Sequence, residues 1–122
     1  MSSTPKQILV VEDDLDILDT FIQVLEMAGY AATGAVNGQD ALDKLVTEPR
    51  PCMILLDLMM PVMTGWELHA RLAADPILAS IPVVFVSAAG DLSGIVAPKP
   101  VAYLRKPVEV RVLLATVKRF CA

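Results

Sequence analysis

Asp57 follows directly on an apolar run, Cys52-Met-Ile-Leu-Leu56, and precedes Leu58-Met-Met-Pro61. A carboxylate at the end of a hydrophobic strand can act as a nucleophile towards phosphorus, giving an acyl phosphate. Other apolar runs end in reactive groups as well. Ile8-Leu-Val-Val11 ends in Glu12, Asp13 and Asp14; Ile81-Pro-Val-Val-Phe-Val86 ends in Ser87; Val101 to Leu104 leads to Lys106. Carboxylates gathered at one sheet edge repel one another unless a cation joins them. Mg²⁺ suits a site that offers one or two carboxylates, water and a phosphate oxygen. Phosphoryl transfer needs positioning and charge neutralisation more than covalent help. Mg²⁺ on one phosphoryl oxygen, Lys106 as a point charge on a second and the Ser87 hydroxyl on a third would supply both. The plainer alternative is that Glu12, Asp13 and Asp14 merely cap a helix and favour its dipole. It leaves Asp57 and Lys106 without a task.

These groups meet only if the strands lie side by side and parallel. The runs from Ile8, Cys52 and Ile81 are continuous rather than alternating, as expected for strands covered on both faces. Tyr30 to Val36 and Val101 to Leu104 are weaker and fit edge or near-edge positions. Pro82 stands at the start of its run, where a missing N–H is tolerated. Helical spacing fills the gaps. Leu18, Phe21, Ile22, Leu25 and Ala28 make one apolar face, closed by Gly29. Asn37 can cap a second helix carrying Ala41, Leu42, Leu45 and Val46, stopped before Pro49. Thr64-Gly-Trp-Glu67 matches a capping box for a third helix ending near Asp75-Pro76. Pro107 suits the first turn of a last helix with Val110, Leu113, Leu114 and Val117 inward. Ala88 to Pro100, with Gly90, Gly94, Pro98 and Pro100, allows at most two or three weak turns. The alternation predicts a (βα)₅ chain with right-handed crossovers and a five-stranded parallel sheet. Ligands of such sheets bind beyond the carboxyl ends of the strands, where Asp57 and its companions fall.

Composition narrows the rest. The 122 residues are 55% hydrophobic and 20% charged, enough apolar content for one full core and too short for two domains. The longest apolar runs are far too short to cross a bilayer, and Met1 to Gln7 lacks the apolar core of a signal peptide. A cytoplasmic location is expected. A net charge of −4 argues against direct nucleic-acid binding. Cys52 and Cys121 are far apart in sequence and form no C-x-x-C pair, so reduced thiols are expected.

Four segments in order, Ile8-Leu-Val-Val-Glu-Asp-Asp14, Asp57-Leu-Met-Met-Pro-Val-Met-Thr-Gly65, Ser87-Ala88 and Tyr103-Leu-Arg-Lys-Pro107, make the chain resemble the receiver domain of two-component response regulators. The resemblance runs from about Lys6 to Cys121. It implies the doubly wound, flavodoxin-like receiver fold with strand order 2-1-3-4-5, and one receiver domain over residues 1–122 with no output domain. By the same resemblance Asp57 is the phosphoacceptor and Asp13 binds Mg²⁺ directly, with Glu12 acting through water and the Met59 carbonyl as a further ligand. Asp14 lies beyond the usual acidic pair. Ser87 and Tyr103 match a switch pair, Ala88 a small residue whose N–H meets the phosphoryl group, and Lys106-Pro107 a cis peptide. The implied partners are a sensor histidine kinase or histidine phosphotransfer protein and a downstream protein target. The implied chemistry is the chain's own phosphorylation and dephosphorylation, not turnover of a separate substrate.

The sequence departs from the family pattern in two places. The stretch from Ser87 to Tyr103 is shorter than usual and broken by Gly and Pro, so a short, mobile or rebuilt fourth helix is expected. Met59 and Ala89 flank the site with side chains that cannot orient a water strongly, which predicts slow loss of the phosphoryl group. Other residues carry plainer readings. His69 is expected on the surface of a helix, Met59, Met60 and Met63 in core and loop packing, and Trp66 in partly exposed packing. Rival functions fit less well. A flavin or nucleotide binder needs a Gly/Ser/Thr-rich first loop where Glu12-Asp-Asp-Leu-Asp16 stands. An aspartyl-phosphate phosphatase lacks its general acid, because Met59 occupies that position. A receiver domain cut from a hybrid kinase or larger regulator is the organisational alternative, although Met1 and the close after the last helix favour a free-standing chain.

Overall fold

The computed structural model describes residues 6–47, 49–88 and 99–121. Strand β1 (Gln7–Val11), helix α1 (Leu15–Met27), β2 (Ala31–Ala35), α2 (Gly38–Thr47), β3 (Met53–Asp57), α3 (Gly65–Ala74), a 3₁₀ turn (Leu78–Ser80), β4 (Val83–Ser87), β5 (Ala102–Arg105) and α4 (Val110–Phe120) follow in order. The five strands form one sheet in the order β2-β1-β3-β4-β5, and every pairing is parallel. The weak runs lie at the two edges, as their composition requires. The expectation of a short fourth helix concerns a segment of which residues 89–98, Ala89 among them, lie outside the described residues.

Pleating explains why the central runs do not alternate in polarity. Successive side chains point to opposite faces, and both faces are covered. Leu9, Val11, Ile54, Leu56, Val83 and Phe85 pack towards α2 and α3. Ile8, Val10, Met53, Leu55, Val84 and Val86 pack towards α1 and α4. Helix ends follow local chemistry. Asp14 caps α1 by accepting from the N–H groups of Asp16 and Ile17, Asn37 accepts from Asp40 N–H at 2.8 Å, and Thr64 with Glu67 forms the expected capping box. Gly29 takes a φ of +96°, the left-handed turn that ends α1 without a Cβ clash. Among the described residues no helix is long and apolar enough to cross a membrane.

Several sequence expectations are corrected. Cys52 and Cys121 form a disulfide, with Cα atoms 5.3 Å apart, because α4 returns along the sheet to the start of β3. His69 is buried, only 7% exposed, since α3 turns Trp66 and His69 inward against Phe85. Helix α4 begins at Val110, three residues after Pro107, with Glu109 as its N-cap. Val110 and Val46 point outward and are exposed, and Ala28 is exposed at the end of α1. In α4 the inward positions are Leu113 and Val117, with Leu114 partly buried beside them.

Candidate phosphorylation and metal site

The strand order places β1 between β2 and β3, so the connections leave β1 in opposite directions and a crevice opens beyond β1 and β3. Glu12 and Asp13 follow β1 and Asp57 ends β3 at this crevice. One carboxylate oxygen from each of Glu12, Asp13 and Asp57 lies within 4.8 Å of the other two. Glu12 is 1% and Asp57 4% exposed, whereas Asp13 faces solvent. Asp14 belongs to the helix cap instead.

Lys106 reaches the same spot from beyond β5. Its Nζ donates to Glu12 Oε1 at 2.7 Å and lies 3.6 Å from Asp57 Oδ1. Backbone bonds fix these groups. Lys106 N–H donates to the Ser87 carbonyl at 2.9 Å, Leu58 N–H to the Val86 carbonyl at 3.1 Å, and Met59 N–H to Asp57 Oδ1 at 3.3 Å. The Lys106-Pro107 peptide is cis, as the resemblance implies. Ser87 is buried at the end of β4 and Ala88 is exposed just after it. Tyr103, on the neighbouring β5, is 42% exposed.

Burial dominates the electrostatics. It pushes the Glu12 carboxyl up to about 7, against the opposing pull of the Lys106 hydrogen bond and the Asp14 N–H and with further upward pressure from Asp57. Burial also disfavours the Lys106 ammonium, but its bonds to Glu12 and the nearby Asp57 charge outweigh that and raise its pKa. Three carboxylates and one ammonium leave a surplus of negative charge in a sheltered crevice. An all-oxygen donor set of this kind fits Mg²⁺.

The loop after Asp57 was legible in outline only. Leu58, Met60 and Met63 are buried anchors, while Met59 and Val62 are exposed. The chain returns at Gly65, whose N–H donates to the Leu58 carbonyl at 3.0 Å. A Cβ on Gly65 would stand 2.5 Å from the Asp57 carbonyl oxygen and 2.8 Å from Leu58 Cα. No side chain fits there. The Glu12–Lys106 pair has no signal in the sequence, where the spacing points Lys106 at a phosphoryl oxygen rather than at an acid 94 residues away.

Comparison with known proteins agrees with this geometry. The response regulator receiver domain family matches residues 8–118. The polar-differentiation response regulator DivK of Brucella anthropi is 35% identical over 119 residues, covering 95% of this chain and 96% of that protein. The phosphate regulon transcriptional regulatory protein PhoB of Pseudomonas aeruginosa is 35% identical over 116 residues, covering 93% of this chain but 50% of its own length. A crystal structure of a putative response regulator from Chloroflexus aurantiacus superposes with a TM-score of 0.87 at 29% identity, covering 96% of this chain and 98% of the other. With its fold, its acidic triad and this match over nearly its whole length, the chain belongs to the response regulator receiver domain family, the phosphoacceptor modules of two-component phosphorelays.

Proposed function

We propose that Asp57 is the phosphoacceptor and that the surrounding residues divide the work of accepting and reporting the phosphoryl group. Its strongest support is the placement of Asp57: a nearly buried carboxylate at a strand end, within 4.8 Å of two further acids and 3.6 Å from an ammonium. The donor is a phosphohistidine on a sensor histidine kinase or a histidine phosphotransfer protein. As its P–N bond breaks, an Asp57 oxygen forms the new bond to phosphorus and the imidazole leaves with the bonding pair. Asp13, Asp57 and the Met59 carbonyl would hold Mg²⁺, with Glu12 acting through water, and the ion would supply charge neutralisation at the phosphoryl oxygens. Lys106 leaves Glu12 for a phosphoryl oxygen, and the Ser87 hydroxyl and Ala88 N–H donate to the others. Tyr103 then turns inward beside Ser87.

The chain acts in the cytoplasm as a single receiver domain that passes its signal by binding a protein target. The half-length match to PhoB favours one alternative, a receiver that is part of a longer regulator. The test of the central assignment uses acetyl phosphate and Mg²⁺. Intact mass should show one added phosphoryl group on the wild type and none on Asp57→Asn. An equal adduct on the variant would overturn the assignment.

A further inference from the structure

Four aromatic side chains meet on the sheet face that α2 and α3 cover. Phe85, fully buried in β4, stands at their centre. The Trp66 ring meets it at a centroid distance of 5.2 Å and 77°, His69 at 5.0 Å and 85°, and Tyr103 at 6.2 Å and 75°. All three contacts are edge-to-face, the arrangement that aromatic quadrupoles favour. Trp66 and His69 are neighbours at i and i+3 on α3, and Tyr103 is the register partner of Phe85 across β4 and β5. Ser87 lies two residues beyond Phe85 on the same strand and therefore on the same face of the pleat.

Two features make this array responsive. Tyr103 is the one ring of the four that stands substantially in solvent, so it has room to move. His69 Nδ1 is buried and has no hydrogen-bond partner among the described residues, so that nitrogen adds no polar tie to the packing. Close-packed interiors do not absorb such a movement silently; a displaced ring displaces its neighbours.

We propose that Tyr103, Phe85 and Trp66 form a coupling array that carries the state of the phosphorylation site to α3, making the Trp66 end of α3 a surface that changes on phosphorylation. The proposal rests on the phosphoacceptor reading above. When Tyr103 swings towards Ser87 it withdraws from or tightens on Phe85, and Phe85 repositions Trp66 and His69 on the helix.

Trp66 is the single tryptophan, so its fluorescence reports this one site. The measurement follows Trp66 emission during saturation with acetyl phosphate and Mg²⁺, with phosphoryl occupancy read in parallel by intact mass. The expected result is a change in emission intensity or wavelength that tracks occupancy in the wild type and is lost in Tyr103→Leu at equal occupancy. Phe85→Leu should lose it too. Because Phe85 is fully buried and its variant can unfold, the partly exposed Tyr103 decides. Full occupancy with unchanged Trp66 emission would overturn the coupling, as would a wild-type response in Tyr103→Leu. In each phosphorylated variant, the His69 Cε1–H resonance serves as the second readout and should lose its shift together with the emission change. Absence of any adduct on the wild type would overturn the phosphoacceptor reading itself, an outcome the mass measurement separates from the others.

Discussion

Glu12 shows how one residue can be set by competing effects. A carboxyl at 1% exposure is costly to ionise, and burial with the neighbouring Asp57 raises it to about 7 despite the Lys106 bond. In the metal-free protein this group therefore favours the folded state fully below its ordinary value of 4.5, and that contribution is lost as pH rises through about 7. Metal binding reverses the preference, because the cation favours the deprotonated acid and displaces its proton. Mg²⁺ affinity is accordingly expected to rise as pH increases from about 6 to 8, by up to roughly tenfold per pH unit below the midpoint if one proton is released. Titration of Mg²⁺ into the wild type and Glu12→Gln at several pH values checks this. The variant should bind more weakly at pH 8 and show a flatter pH dependence. A profile of unchanged slope would place the titrating group elsewhere. The acids themselves were legible from the sequence because they follow apolar runs. Their unequal burial was not, since it depends on how the sheet and Lys106 close over Glu12 and leave Asp13 outside.

At the scale of elements, the β3–α3 connection turns a strand end into a rigid site. Met63 and Met60 anchor the loop in the core, Val62 sits at its exposed tip with a φ of +69°, and Gly65 closes it against the Asp57 backbone. A left-handed β-branched residue costs roughly 1–2 kcal/mol, so the anchors must hold the tip in place. Gly65→Ala is expected to push a methyl group into backbone that has no flexible end to yield. The cost should be about 1–3 kcal/mol, the usual range for overpacking, with slower phosphorylation because the moved atoms belong to Asp57 and Leu58. Urea unfolding and the rate of acetyl phosphate labelling measure the two effects. Wild-type values for both would show that the helix start can shift freely. Strand positions and helix caps were readable because apolar runs, Asn37, Thr64 and Gly29 act locally. The inward turn of His69 was not, because one histidine beside Trp66 and Glu67 does not reveal that Phe85 waits across the interface. Likewise Val110 is apolar and correctly spaced, yet α4 starts late and leaves it in solvent.

At the scale of the whole molecule, Cys52 and Cys121 join the start of the third strand to the end of the last helix across a sequence separation of 69. Spacing carried no hint of this pair; only the parallel order, which returns α4 beside the central strands, brings them together. The bond lies at the opposite end of β3 from Asp57, five strand residues away or about 16 Å at the usual rise per residue. Its action is therefore on the stability of the fold rather than on the site. Closing a loop of this length restricts the unfolded chain by about 4 kcal/mol on the chain-entropy account, a large share of the 5–15 kcal/mol typical of a domain. Both sulfurs also sit among the apolar residues of the α1 and α4 layer, where reduced cysteines pack as small hydrophobes. Reduction should then lower the urea midpoint markedly while the fold and the uptake of one phosphoryl group persist. Reducing compartments keep such pairs as thiols and oxidising ones keep the bond. Alkylation under non-reducing conditions reports the oxidation state, and paired unfolding and labelling with and without reductant tests the separation of roles. If the midpoint did not move on reduction, the bond would contribute no net stability. If labelling failed while the fold remained intact, the far end of β3 would be coupled to Asp57 after all.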